Sequence, residues 1–119
     1  MQTILIIGRI LFGGFFLFNG LNHFKNIASL KQYAASKKVP APKLATMLTG
    51  LLLLVGGLGV MFNFYVTISL WFLVIFLIPM SLIMHAFWKE TDPNARMLEM
   101  NNFLKNMALA GAALMLLAT

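Results

Sequence analysis

Two histidines, His23 and His85, are the side chains of this sequence that titrate nearest neutral pH, and each closes a long apolar run. Amides and a cation accompany them: Asn19 and Asn22 precede His23, while Asn102, Lys105 and Asn106 open the last apolar run. Brought to one depth in a helical bundle, Asn19, His23, His85, Lys105 and Asn106 would form a pocket for a polar or anionic head group. Lys105 would anchor that group by charge, and the histidines would donate or accept protons. The same residues could equally be interfacial groups bonded to one another, to carbonyls and to water, and the sequence leaves both readings open. A metal site is not expected, because the His-x-x-x-His spacing is absent and Glu99 or Asp92 would have to fold back from a loop. Haem held between His23 and His85 is a lesser alternative to an organic ligand.

Arg9 stands apart. It precedes His23 by 14 residues, ~21 Å along a helix, so the two cannot touch one small head group. Its expected role is either a clasp to the Thr119 carboxylate or the capture of an anion from outside.

The elements that must position these residues follow from composition. Of 119 residues, 61% are hydrophobic and 10% charged, and mean hydropathy is +0.88. A water-soluble chain of this length could not hide so much apolar surface, whereas lipid accepts it directly. One transmembrane domain over residues 1–119 is expected, with helices near 3–22, 43–61, 64–87 and 102–119. Each approaches the ~20 residues that a bilayer crossing requires. The predicted fold is all-α, an integral membrane four-helix bundle.

Residues 62–65 leave room only for a tight hairpin. Residues 28–35 of the first long loop should form a short surface helix, ended by Val39-Pro40-Ala41-Pro42. The second long loop, 88–101, carries all three acids, Glu90, Asp92 and Glu99. Every lysine, with Arg96, falls on the side of the two long loops, and only Arg9 tends the other way. The positive-inside rule therefore makes both long loops cytoplasmic and puts the N- and C-termini outside. Met1-Gln2-Thr3 lacks a basic n-region, so the first apolar run is expected to be a retained span of a multi-pass protein of the bacterial inner membrane.

Pro79 should kink the third span. The glycines and alanines, Gly13, Gly20, Gly56 and Gly57 among them, serve helix packing. A weak echo, Asn22-His23-Phe24-Lys25 against Met84-His85-Ala86-Phe87, suggests two related helix pairs. The net charge of +6 reflects orientation in the membrane and contact with anionic lipid, not nucleic acid, since no aromatic-basic reader pattern is present. With no cysteine, thiol chemistry and cysteine-ligated clusters are excluded, and any redox role must borrow its electron carrier.

Gly8-Arg9 at the start, Asn19-Gly20-Leu21-Asn22-His23-Phe24 closing the first helix, Gly56-Gly57 in the second and His85 closing the third resemble the DoxX family of small bacterial four-helix membrane proteins. Asn102-Phe103-Leu104-Lys105-Asn106-Met107-Ala108-Leu109-Ala110-Gly111 is similar to that family's closing helix. The resemblance covers nearly the whole chain. It includes the DoxD-type membrane subunit of thiosulfate:quinone oxidoreductases, and so implies a quinone- or redox-linked membrane subunit. The family's shared motifs are membrane helices and not a catalytic signature, so whether the chain is an enzyme stays open. The alternative is a non-enzymatic accessory or assembly subunit, packed against other membrane subunits or its own copies.

Overall fold

A computed structural model describes residues 1–119 as helices without strands. The helices are α1 (Gln2–Lys25), α2 (Ile27–Ser36), α3 (Pro42–Met61), α4 (Val66–Met84) and α5 (Pro93–Ala118), with a 3-10 turn at Phe87–Lys89 between the last two. By length and composition α1, α3 and the segment from α4 through the 3-10 turn can each cross a membrane. α5 is longer than any of them, but its first half carries Arg96, Glu99, Asn101, Asn102 and Lys105, and it falls short of that apolarity.

The helix ends follow from local chemistry. Asn26 closes α1 and opens α2, and its side-chain amide donates to the side-chain oxygen of Asn22. α2 ends in a Schellman motif: Val39 N–H reaches Ala34 O, Lys38 N–H reaches Ala35 O, and Lys38 takes the left-handed conformation at φ 63°. The α3–α4 hairpin repeats the device with Asn63 at φ 56°, Phe64 N–H bonding Gly59 O. Pro79 lies inside α4, which stays helical through it.

α5 departs from the sequence expectation. It begins at Pro93, nine residues before the predicted 102, because Asp92 caps it, accepting from Ala95 N–H, and Pro93 supplies a pre-formed first helical position. Residues 93–101 are therefore helix and not loop. The gain of two turns rotates Glu99 onto the buried face with Asn106, Ala110 and Ala113.

α3 is the central helix. It packs on α1 with one face and on α4 with another, and α4 packs in turn on α5. Glycines permit both approaches. A Cβ on Gly57 would lie 2.6 Å from Leu17 N and 2.7 Å from Gly13 O, while one on Gly56 would lie 2.7 Å from Leu73 Cδ2. Between these contacts sits a core of Phe16, Leu53, Val60, Leu70, Leu73, Val74, Leu77, Ala110 and Ala113. The outward surfaces of α1 and α4 expose Ile4, Ile10, Leu11, Phe18, Ile68 and Ile75, as expected where the surrounding solvent is lipid. α1 and α5 share no comparable packing surface.

Candidate head-group cavity and its polar roof

A cavity of about 210 Å³ lies among all five helices. Its walls are apolar, with Phe16, Leu53, Phe76, Leu77 and Met80, and polar groups enter at defined places: Asn19, His23, Tyr33, Thr46, Thr49, His85, Lys105 and Asn106. The five residues singled out in the sequence, Asn19, His23, His85, Lys105 and Asn106, thus line one cavity.

Each is held differently. Asn19 donates from its amide to Phe15 O at 2.8 Å. His23 Nδ1 lies 2.8 Å from the backbone oxygen of Asn19, an acceptor only, so that nitrogen carries the proton and Nε2 is left for other partners. Thr46 and Thr49 turn their hydroxyls back onto Pro42 O and Ala45 O. Lys105 places Nζ 5.8 Å from the centre of the Phe15 ring and joins no ion pair. Asn106 is only 8% exposed, yet its amide bonds no other protein group.

Over the cavity sits a cluster that the sequence reading missed. Glu99 reaches in from α5 with its side chain 5% exposed. Tyr33 donates its hydroxyl to Glu99 Oε2 at 2.7 Å, and Lys37 Nζ lies 2.8 Å from the same oxygen. His85 Nδ1 donates to Oε1 at 3.1 Å, and Asn102 adds an amide at 3.3 Å. Lys37 also pairs with Glu90 at 2.9 Å. The cluster joins α2, the end of α4, the 3-10 turn's exit and α5. Tyr33 and His85 belong to both cluster and cavity.

Burial alone would raise the Glu99 carboxyl, but the bonds from Lys37, Tyr33, His85 and Asn102 outweigh it and hold the group down to about 2. Burial and the neighbouring Glu99 push the Tyr33 phenol above its ordinary value, so it stays a donor. Burial works against the charge of Lys37, and its bonds to Glu99 and Glu90 overcome it and raise the ammonium.

The expectation that no carboxylate lies near the histidines is corrected here: Glu99 contacts His85 directly, because α5 starts early. The signal was present in Asp92-Pro93, a cap followed by a first-turn proline. The structure nevertheless brings together no set of three His, Cys, Asp or Glu side chains able to hold a metal ion. Arg9 makes no ion pair, and the expected clasp to Thr119 is not formed. The Thr119 hydroxyl bonds Leu116 O instead.

No curated protein and no solved structure matches the chain significantly. The family model that does match is DoxX, over residues 4–86. The match ends before α5, so Glu99, Lys105 and Asn106 lie outside it, as does the Asn102–Gly111 stretch. It takes in α1 to α4 and all the cavity's walls except those from α5, and on that coverage the chain belongs to the DoxX family.

Proposed function

We propose that this chain is a membrane subunit that binds the head group of a quinone-like amphiphile in the cavity beneath Tyr33 and His85. The carrying observation is Asn106, a residue only 8% exposed that lines the cavity and whose amide forms no hydrogen bond within the protein. An amide at the cavity wall with its donors and acceptor uncommitted is available to a ligand oxygen. Lys105, unpaired by any acid, adds a donor suited to a carbonyl or phenolate oxygen. The aromatic and aliphatic walls suit a ring.

The chemistry would be proton-coupled. Reduction of a quinone takes two electrons and two protons. The histidines are the proton carriers of choice, each with Nδ1–H committed to an acceptor and Nε2 free for the ligand. The electrons would come from the redox carrier of a partner chain, since the residues here include no cysteine. On this reading α5 from Asn102 is the fourth crossing of the bundle, the two long loops face the cytoplasm, and the membrane is the bacterial inner membrane. Haem is not favoured as the occupant.

The test is extraction in mild detergent, mass spectrometry of the bound small molecules, and titration with a short-chain quinone. Asn106→Leu and Lys105→Met should each weaken binding ~10-fold or more, from the loss of one hydrogen bond. Native protein that neither carries nor binds a quinone would refute the reading.

An accessory role draws on a separate observation. A Cβ on Gly8 would meet nothing within 4 Å, so α1 has room there for a close-packed helix of another subunit or copy. Stoichiometric partner subunits with no bound ligand would favour it.

A further inference from the structure

Among all the residues lining the cavity, only Phe15 and Lys105 are exposed. They stand on α1 and α5, the two outer helices of the packing order, which share no packing surface of their own. What closes the gap between them at this level is the Lys105 ammonium lying against the Phe15 ring, 5.8 Å from its centre. The mouth of the cavity is therefore at this pair, on the side of the bundle and not at its end.

The surroundings of the mouth define what it opens onto. Phe15 lies ten residues before the end of α1 at Lys25, ~15 Å along the helix axis. Its exposed neighbours are Leu11 and Phe18 on α1 and Leu104 beside Lys105 on α5, an apolar rim. The opposite end of the cavity is covered by α2, through Leu30, Tyr33 and Ala34, and α2 is fastened by Lys37 and Tyr33 to Glu99. An ammonium on an apolar rim is costly unless it meets a partner, and an aromatic face supplies only part of that need.

From this we infer that the cavity is filled sideways from the bilayer through a Phe15–Lys105 gate, by a lipid-dissolved amphiphile whose head group passes Lys105 while its tail stays in the α1–α5 crease. This rests on the head-group reading above and adds the route and the form of the ligand. Lys105 meets the incoming oxygen first and swings off the ring as it does so. A tail-less, water-borne ligand has no comparable path, because the polar cluster closes the α2 side.

The experiment follows the exchange of bound quinone in detergent-solubilised full-length protein, using a long-tailed and a short-tailed analogue. Phe15→Ala should speed association and dissociation together, by ~10-fold, with the affinity changed less than threefold. Phe15→Trp should slow both. The absence of native cysteine allows a second test. Phe15→Cys/Lys105→Cys, bridged by a short reducible bifunctional thiol reagent, should trap or exclude the long-tailed analogue until the bridge is reduced. A bridge across Val55→Cys/Ile68→Cys, at the far hairpin groove, should not affect exchange. Exchange that is unchanged by the Phe15 substitutions and by the bridge, or that quickens only when Lys37→Met loosens α2, overturns the lateral route while leaving the binding site intact. Failure of the protein with Phe15 and Lys105 intact to bind either analogue removes the head-group reading itself.

Discussion

Tyr33 and Glu99 are separated by 66 residues in sequence and meet through a 2.7 Å hydrogen bond from the phenol to carboxylate Oε2. Tyr33 belongs to the short helix between the first two apolar runs, and Glu99 to the polar start of the last helix. Their contact ties one long connection to the other above the cavity. Lys37 and His85 converge on the same carboxylate, so Glu99 is the point through which α2, the end of α4 and α5 are joined.

Removing that point should be expensive. Glu99→Gln leaves Lys37 with Glu90 alone and takes the charge from His85's partner, and loss of one member of a buried ion pair costs ~3 kcal/mol. Thermal unfolding in detergent should show the loss. A double-mutant cycle with Lys37→Met should show strong coupling, and additive effects would mean that the two groups do not act together.

The acid response follows from the same group. An unfolded glutamate titrates near 4.5, whereas Glu99 is held down to about 2. Its stabilisation is therefore complete above pH ~4.5 and is lost as pH falls toward ~2, by on the order of 3 kcal/mol in all. Lys37, raised above its usual 10.5, sets the opposite edge: its contribution is complete below that value and fades at higher pH. Unfolding midpoints should form a plateau between these limits, and Glu99→Gln should flatten the acid side.

Tyr33→Phe removes one donor from a carboxylate that keeps three others. The expected cost is about 1–2 kcal/mol, with the acid edge moving to higher pH. An unmoved edge would show that the phenol does not help to hold Glu99 ionised.

The glycine positions should separate into two classes. Gly57→Ala forces a methyl group against the backbone of Leu17 and Gly13, and Gly13→Ala does the same against Gly57 O at 2.6 Å. Both should push α1 and α3 apart and cut folded yield severely, by several kcal/mol of overpacking. Gly111→Ala meets nothing within 4 Å and should be neutral or slightly stabilising. Size-exclusion profiles and melting curves of the three variants would check this.

Much of the architecture was legible because lipid imposes a simple rule, and long apolar runs mark α1, α3 and α4. The surface helix was readable from Ser29-Leu30-Lys31-Gln32-Tyr33, a helix-compatible stretch between a membrane run and two prolines. The five polar residues were legible as a group because each sits toward the long-loop end of its apolar run. Glu99 was not, since hydropathy is blind to a polar helix: residues 93–101 read as loop until Asp92 is seen as a cap and Pro93 as a first-turn residue. Once α5 is extended backward, the spacing Glu99, Asn106, Ala110, Ala113 lies on one face. The partnership of Lys37 and Tyr33 with that face depends on the path of α2, which the left-handed turn at Lys38 sets and no local pattern announces.

The packing order has a consequence for how the protein is made. α1 meets α3, α3 meets α4, and α4 meets α5, so each long helix finds its partner in the long helix synthesised just before it. Insertion can then proceed stepwise from the ribosome, each new helix docking on a surface already in place. The bonds from Tyr33 and Lys37 to Glu99 are the exception, because they wait until α5 has emerged. Until then Tyr33 lacks its carboxylate and Lys37 has Glu90 alone, so this cluster closes only after the packing of α1, α3 and α4 is in place.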